Sequence, residues 1–367
     1  MRVANFPPEI DIIIRDLTDI YSEFCNTVVL YGSASRNELV YQKHNERLYF
    51  SSDMEFIVIP DDKSNEQNKS FRKMLIEKSA HYFMNHPMVA KAPFVDVNPV
   101  SIHFFAEAQP RISTFELKKN GIVLKGENVL DLLPSVDLTN YNGKIQNIEV
   151  VKGLKILLIE ANKWFLERDI YKYSDDSEFR YFLCSCFLNV LRTLLPAFGI
   201  FESTASGRIR RLSEIEDNIE LQKFFTKDIF DKFRSVYNQK CKAAFTYSSK
   251  ELFNITFESY KCLLALLLNV DDKKDLIAEI DKSKSVLFWG DAQKINLLSK
   301  LTQFFLSALS CVEQLINHHN VDDDEMNRMK DFYDELLYGK KAFSVSSIIS
   351  DYTRLEKDRW NIISSKD

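Results

Sequence analysis

Glycine and proline are scarce, at nine each in 367 residues, which excludes long flexible linkers and low-complexity tracts; no internal repeat is visible either. Cysteine is sparser still. Cys25, Cys184, Cys186, Cys241, Cys262 and Cys311 are scattered without a CxxC pair, so a dense disulfide framework is excluded and a reducing, cytoplasmic setting is expected. There is no excess of positive charge. Lys and Arg number 48 against 53 Asp and Glu, a net charge of -5, so no global field draws the chain to nucleic acid, although a local basic groove stays open. Long apolar runs are missing too. The longest, residues 263-268, is too short to span a bilayer. At the N-terminus Pro7, Pro8, Glu9 and Asp11 stand where a secretory signal would need a basic region and then an apolar stretch. Neither a secretory signal nor a membrane partner is expected.

What the chain does have is apolar content, 45% over a length that suits two closely packed domains. Ile10, Ile13, Ile14, Leu17, Ile20, Tyr21 and Phe24 recur at helical spacing after Pro7-Pro8 and predict an opening amphipathic helix. Residues 27-31 read as a strand ended by Gly32-Ser33, and residues 54-59 as a second strand stopped by Pro60-Asp61-Asp62. Residues 71-83 suit a helix. Residues 94-98 and 100-105 suit extended segments broken at Pro99.

From about residue 147 the pattern becomes helical. Val151, Leu154, Leu158, Ala161 and Phe165 share one face; residues 181-195 continue until Pro196 should stop them; residues 257-268 and 297-316 follow. The fold class is therefore α+β, a small mixed-sheet domain over residues 1-140 and a mostly α-helical domain over residues 141-367. The boundary is expected among Pro134, Asn140, Asn142 and Gly143, and a further division near residue 280 is left open.

The chemistry gathers in the first half. An apolar strand ending in Gly32-Ser33, with Arg36 one turn on, lets backbone come close to a ligand, and the Ser33 hydroxyl and the Arg36 guanidinium suit phosphate. An ordinary strand turn has the same letters. Asp53 and Glu55 then open an apolar strand two residues apart, so period-two alternation puts both on one face. Two carboxylates turned together are unfavourable without a cation between them, and Mg²⁺ prefers such oxygen ligands completed by substrate phosphates. If two metals are to clamp an in-line displacement, a third carboxylate is required. Asp96, on the extended segment 94-98, is the best placed; the rival is a strand at 100-105, which would offer Ser101 or His103 instead.

Tyr-Gly-Ser-x-x-Arg at residues 31-36, followed by Ser-Asp-x-Glu at 52-55 and an apolar run, resembles the kanamycin (aminoglycoside) nucleotidyltransferase branch of the DNA polymerase β superfamily. Val95-Asp96-Val97-Asn98 is similar to that branch's third acidic strand, and residues 115-126 look like the stretch that closes such domains. The resemblance covers roughly residues 27-130. It implies a small mixed sheet flanked by helices and a nucleoside triphosphate donor, expected to be ATP. Gly32, Ser33 and Arg36 would face the triphosphate, and Asp53, Glu55 and Asp96 would hold magnesium. It also implies a glutamate from the helical domain near the acceptor hydroxyl as general base, and Glu160, beside Leu157 and Trp164, suits that part. A partner for Lys163 at i+3 is the plainer role for Glu160. Two departures stand out: the stretch between Ser33 and Asp53 is longer than in the compact resistance enzymes, with residues 41-49 as a hairpin or lid, and the helices from about residue 286 have no counterpart.

The sequence thus points to a magnesium-dependent nucleotidyltransferase moving a nucleoside monophosphate to a hydroxyl on a small-molecule, protein or RNA acceptor and releasing pyrophosphate. A homodimer is left open. The alternatives are a non-catalytic nucleotide-binding or regulatory protein on the same fold, and an RNA-modifying or toxin-like transferase needing a basic groove. Arg208, Arg210 and Arg211 form the clearest basic cluster and suit a solvated loop entering a helix equally well. His318 and His319 with Asp322, Asp323 and Asp324 read as a helix-capping acidic turn rather than a metal site.

Overall fold

Pro8 sits at the first position of helix α1 (Pro8–Ser22), where its missing N–H costs nothing, and Ile10, Ile13, Ile14, Leu17 and Tyr21 form its buried face. The computed structural model describes residues 6-109, 111-135, 143-166, 176-270, 276-288, 292-318 and 321-337. By its internal contacts the chain forms two units. The first takes Met1–Tyr141 together with Glu202–Gly207 and Cys241–Ala244, and the second takes the remainder. The expected architecture was two unbroken stretches, yet two later segments return to the first unit. No local signal in either segment marks that return.

The first unit is mixed α and β. Strand β1 (Cys25–Tyr31) runs into a single helical turn α2 (Gly32–Ser35). The long stretch after it folds as a hairpin, β2 (Tyr41–His44) and β3 (Arg47–Phe50), one of the two forms expected for residues 41-49. Asn45 and Glu46 both have positive φ, the geometry a two-residue hairpin turn needs to match strand twist. Strand β4 (Met54–Pro60) follows. Helix α3 (Lys69–Asn85) is capped by Asn68, whose Oδ1 accepts from the amides of Ser70 at 2.9 Å and Phe71 at 3.2 Å. Then come β5 (Val89–Lys91), β6 (Val95–Pro99), the short helix α4 (His103–Ala106), α5 (Ile112–Asn120) and β7 (Ile122–Lys125).

Two small sheets result. One has the order β6-β4-β1-β7, with β4 and β6 parallel and the other neighbours antiparallel; the second has the order β2-β3-β5. Strand β6 lies at an edge, which is why Pro99 is tolerated in it. Residues 100-105 are not extended as expected. They turn into α4, so that Phe105, fully buried, packs with Val29, Ile57 and Val123 on one face of the larger sheet. Val28, Leu30, Met54, Phe56, Val58, Val95 and Val97 fill the other face against α1 and α3. There the buried hydroxyls of Tyr21 and Ser79 meet at 2.6 Å, which ties α1 to α3.

The second unit is helical. Helix α6 (Gly143–Ala161) buries Val151, Leu154, Leu158 and Ala161 as its spacing predicts, with Leu157 beside them, while Phe165 falls beyond its end in a π-helical turn and is only partly buried. Residues 181-195 are not one helix, since Ser177–Asn189 ends at Val190 and Leu191–Ala197 begins; Pro196 lies inside this second helix near its end. The helix therefore ends two residues later than expected, at Ala197. Ser249–Leu268 opens with a capping box between Ser248 and Glu251 and closes on Asn269 in the left-handed conformation. Ala292–His318, 27 residues long, is apolar enough to cross a membrane by length and composition, a property that inspection of unbroken runs missed; 72% of its most apolar window is buried. Leu298, Leu301, Phe305, Ala308, Leu309 and Val312 place it in the core of the helical unit.

Candidate functional site

Alternation along three neighbouring strands builds the site. Tyr31, the last residue of β1, pairs with Glu55 on β4, and Glu55 pairs with Asp96 on β6. Directly paired residues point to the same side of a sheet, so Tyr31, Glu55 and Asp96 form one cross-strand row. Asn98, two residues beyond Asp96, shares that face. Asp53 does not open the strand as expected; β4 begins at Met54, and Asp53 is the exposed residue just before it. The apolar half of this face is covered by Phe105, Val129, Leu130 and Leu133. The acidic half is partly open to solvent.

Gly32 explains why the turn after β1 has no side chain. Its φ is +73°, and a Cβ there would collide with the Glu55 carboxylate. Glycine therefore satisfies two demands at once, a left-handed backbone and a close approach of Glu55 to the main chain. Next to it, the Ser33 hydroxyl donates to the Asp53 carbonyl at 3.4 Å, a long bond that brings the turn and the start of β4 together. Ser35 donates to the Gly32 carbonyl at 3.0 Å and steadies the turn from within.

A polar chain links the row. The Asn98 side-chain amide donates to the Tyr31 hydroxyl at 2.9 Å and to Asp96 Oδ2 at 3.1 Å. Arg72, on α3, donates through Nε to the Val97 carbonyl at 3.0 Å and forms an ion pair with Asp96 Oδ1. Burial, and after it the negative charges of Glu55 and Asp96, hold the Tyr31 phenol far above its ordinary pKa; Asp53 adds to the rise, and the Asn98 bond only partly offsets it. Three carboxylates thus act on one hydroxyl. The sequence motif contained Tyr31 and Asn98 but assigned them no part, and Arg72 was not singled out at all, because nothing local connects a helix residue to a strand 24 positions later.

The other expected site residues fall differently. Arg36 is turned toward carboxylates, with Nε 2.9 Å from Glu38 and Nη1 4.0 Å from Glu116. Glu38 also accepts from the Ser206 amide at 2.9 Å, in one of the two segments that return to the first unit. Glu160 belongs to the second unit, where it accepts from Lys163 at 2.6 Å, the plainer of its two expected roles. His103 stands exposed in α4, so the rival strand for the third carboxylate is absent. Arg208, Arg210 and Arg211 are helical rather than in a loop: Arg208 is buried and Arg211 pairs with Glu214. Asp322 Oδ1 accepts from the Asp324 amide at 2.8 Å, the expected acidic helix start, while His319 lies outside the described residues.

Magnesium is the group the sequence implies, and the donor set suits it: carboxylate oxygens from two adjacent strands, beside a turn kept bare of side chain. Among the described residues, however, no three His, Cys, Asp or Glu side chains are gathered closely enough to enclose a metal. Asp96 is drawn toward Arg72 and Asn98 instead. A carboxylate offers about four lone-pair positions, and these two partners occupy two, so Asp96 keeps capacity for a cation. Searches of protein-family models, curated proteins and solved structures match nothing to this chain.

Proposed function

We propose that this protein is a magnesium-dependent nucleotidyltransferase of the polymerase β type, resembling the aminoglycoside branch, which transfers a nucleoside monophosphate from a nucleoside triphosphate to a hydroxyl-bearing acceptor. The observation that carries the reading is the row Tyr31, Glu55 and Asp96 beside the Gly32 turn. Asp53, Glu55 and Asp96 would hold magnesium, which supplies neutralisation of the charge that grows between the phosphates. The backbone of the Gly32 turn would face the phosphates, and the Ser33 hydroxyl would donate to them on giving up its long bond to the Asp53 carbonyl. In the transfer the acceptor oxygen bonds to the α-phosphorus, the bond to the pyrophosphate oxygen breaks, and the acceptor proton passes to a carboxylate. Asp96 is the candidate for that base in the first unit; Glu160 keeps the role only as the resemblance implies it. ATP is the expected donor, and a small molecule, a protein side chain or an RNA end remains the range of acceptors.

A second reading draws on the Arg72 ion pair, which satisfies Asp96 without a metal: a nucleotide-binding regulatory protein on the same scaffold. Pyrophosphate release separates the two. Each of the four ribonucleoside triphosphates is incubated with Mg²⁺ and a cell extract as acceptor source, using wild type and the Asp53→Asn/Glu55→Gln double variant. Wild type should release pyrophosphate, and the double variant should fall by about a hundredfold or more while keeping its melting temperature. Equal release by both proteins overturns the assignment of these carboxylates. Nucleotide binding without release by either supports the regulatory reading.

A further inference from the structure

We propose that Arg72 is the resident counter-ion of the acidic row and sets how tightly that row takes a divalent cation. The inference rests on the magnesium reading above and assigns a positioning residue that the sequence motifs do not contain. Like charges directly opposite each other on neighbouring strands repel, and Glu55 and Asp96 are such a pair, with Asp53 one step away. A positive charge at the row relieves that repulsion when no metal is bound. Arg72 provides it on Asp96 Oδ1.

Its hold is not that of a surface pair free to wander. The Nε–H is committed to the Val97 carbonyl at 3.0 Å, so the guanidinium is fixed on the backbone of the strand that carries Asp96. Asn98 engages the other Asp96 oxygen at 3.1 Å and ties it to Tyr31. Asp96 is thus oriented from both sides, by a charge and by a neutral amide. A cation arriving between Glu55 and Asp96 meets a carboxylate already aligned but already partly neutralised. Arg72 makes the metal-free row stable and, by the same charge, weakens its attraction for the metal.

Calorimetric titration of the whole chain with MgCl₂ alone, without nucleotide, tests this. A unit charge about 6 Å from a doubly charged ion, screened as in bulk water, is worth about tenfold in affinity. Arg72→Gln should bind Mg²⁺ about tenfold more tightly than wild type, and Arg72→Lys, which keeps the charge, should stay within about threefold of wild type. Arg72→Gln should also melt below wild type without metal, with the gap narrowing at saturating Mg²⁺. Equal Mg²⁺ affinity in wild type and Arg72→Gln overturns the inference and leaves the transferase reading standing, as does an equal melting deficit with and without metal. Absence of Mg²⁺ binding in both proteins overturns the inference and the metal reading together. If Arg72→Gln does not fold, the Arg72 Nε–H resonance of wild type, assigned by its loss in Arg72→Lys, replaces it: the resonance should move on Mg²⁺ addition, and an unmoved signal at saturating Mg²⁺ overturns the inference.

Discussion

At the scale of single residues, Gly32 is the position where sequence and site constrain each other most. A φ of +73° costs a non-glycine residue about 1–2 kcal/mol, before any collision is counted. The Glu55 carboxylate occupies the place a Cβ would take, so Gly32→Ala must also push Glu55 out of the row. Gly32→Ala should lower the unfolding free energy by about 1–2 kcal/mol or more in urea titration and abolish pyrophosphate release. An alanine variant with wild-type stability would mean that the turn relaxes freely and that the close approach of Glu55 is not required. Glycine after a strand is legible in the sequence; that it faces Glu55 is not, since 23 residues separate them.

At the scale of elements, the hairpin of β2 and β3 shows how a local rule is met imperfectly. Its turn places Asn45 and Glu46 at φ of 48° and 61°, and only Asn45 belongs to the residue types that tolerate such angles. Glu46 forms an exposed ion pair with Lys43 at 3.0 Å, which solvent screens. Backbone strain outweighs that pair. Glu46→Gly should therefore raise stability, by a few tenths to about 1 kcal/mol, read as a higher urea midpoint with an unchanged slope. A lower midpoint would show that the Lys43 pair matters more than the angle. Elsewhere the elements depart from periodicity where packing takes over. Alternation permits a strand at residues 100-105, but Phe105 gains burial against Val29 and Ile57 only if the chain coils into α4. The helix expected over residues 181-195 breaks at Val190 with no proline or glycine at the break, so no local signal announced it.

At the scale of the whole molecule, the helical unit holds half-buried carboxyl groups that make its stability depend on pH. Burial raises Glu313, with Glu258 adding to the rise and Lys261 opposing it; burial and Asp322 raise Glu325 against Arg328. A carboxyl whose folded pKa is raised favours the fold most below its unfolded pKa, and that contribution is lost as pH rises through the folded value. Removing the ionisable group removes the loss. Glu313→Gln should be more stable than wild type at pH 7.5, and the advantage should shrink toward pH 4.5, as read from urea midpoints at both. A variant that is weaker at pH 7.5 would show that the ion pair with Lys261, at 3.7 Å, outweighs the burial of the charge. The long helix Ala292–His318 runs through the same core, so its apolar composition is accounted for by burial among Leu301, Phe305 and Leu309.

Sequence by itself determined what each segment can be and which letters could do chemistry. Apolar spacing marked α1, α6 and, over residues 257-268 and 297-316, the main part of the helices that run over 249-268 and 292-318, and β-branched runs ending in Gly32-Ser33 and opening after Asp53 marked β1 and β4, because helix and strand periods are local properties of a chain. It also put Asp53 and Glu55 on one face of a strand, whereas β4 begins only after Asp53. Only tertiary structure decided who meets whom. The register that sets Glu55 against both Tyr31 and Asp96 follows from pairing strands far apart in the chain, and a slip of one residue would turn Asp96 into the core. Arg72 reaches Asp96, and Glu202–Gly207 joins the first unit, by contacts whose partners are too distant in sequence for any window to register. Long side chains and returning segments choose their neighbours after the sheets and helices have packed, which is why the carboxylates could be read from the sequence and the cation beside them could not.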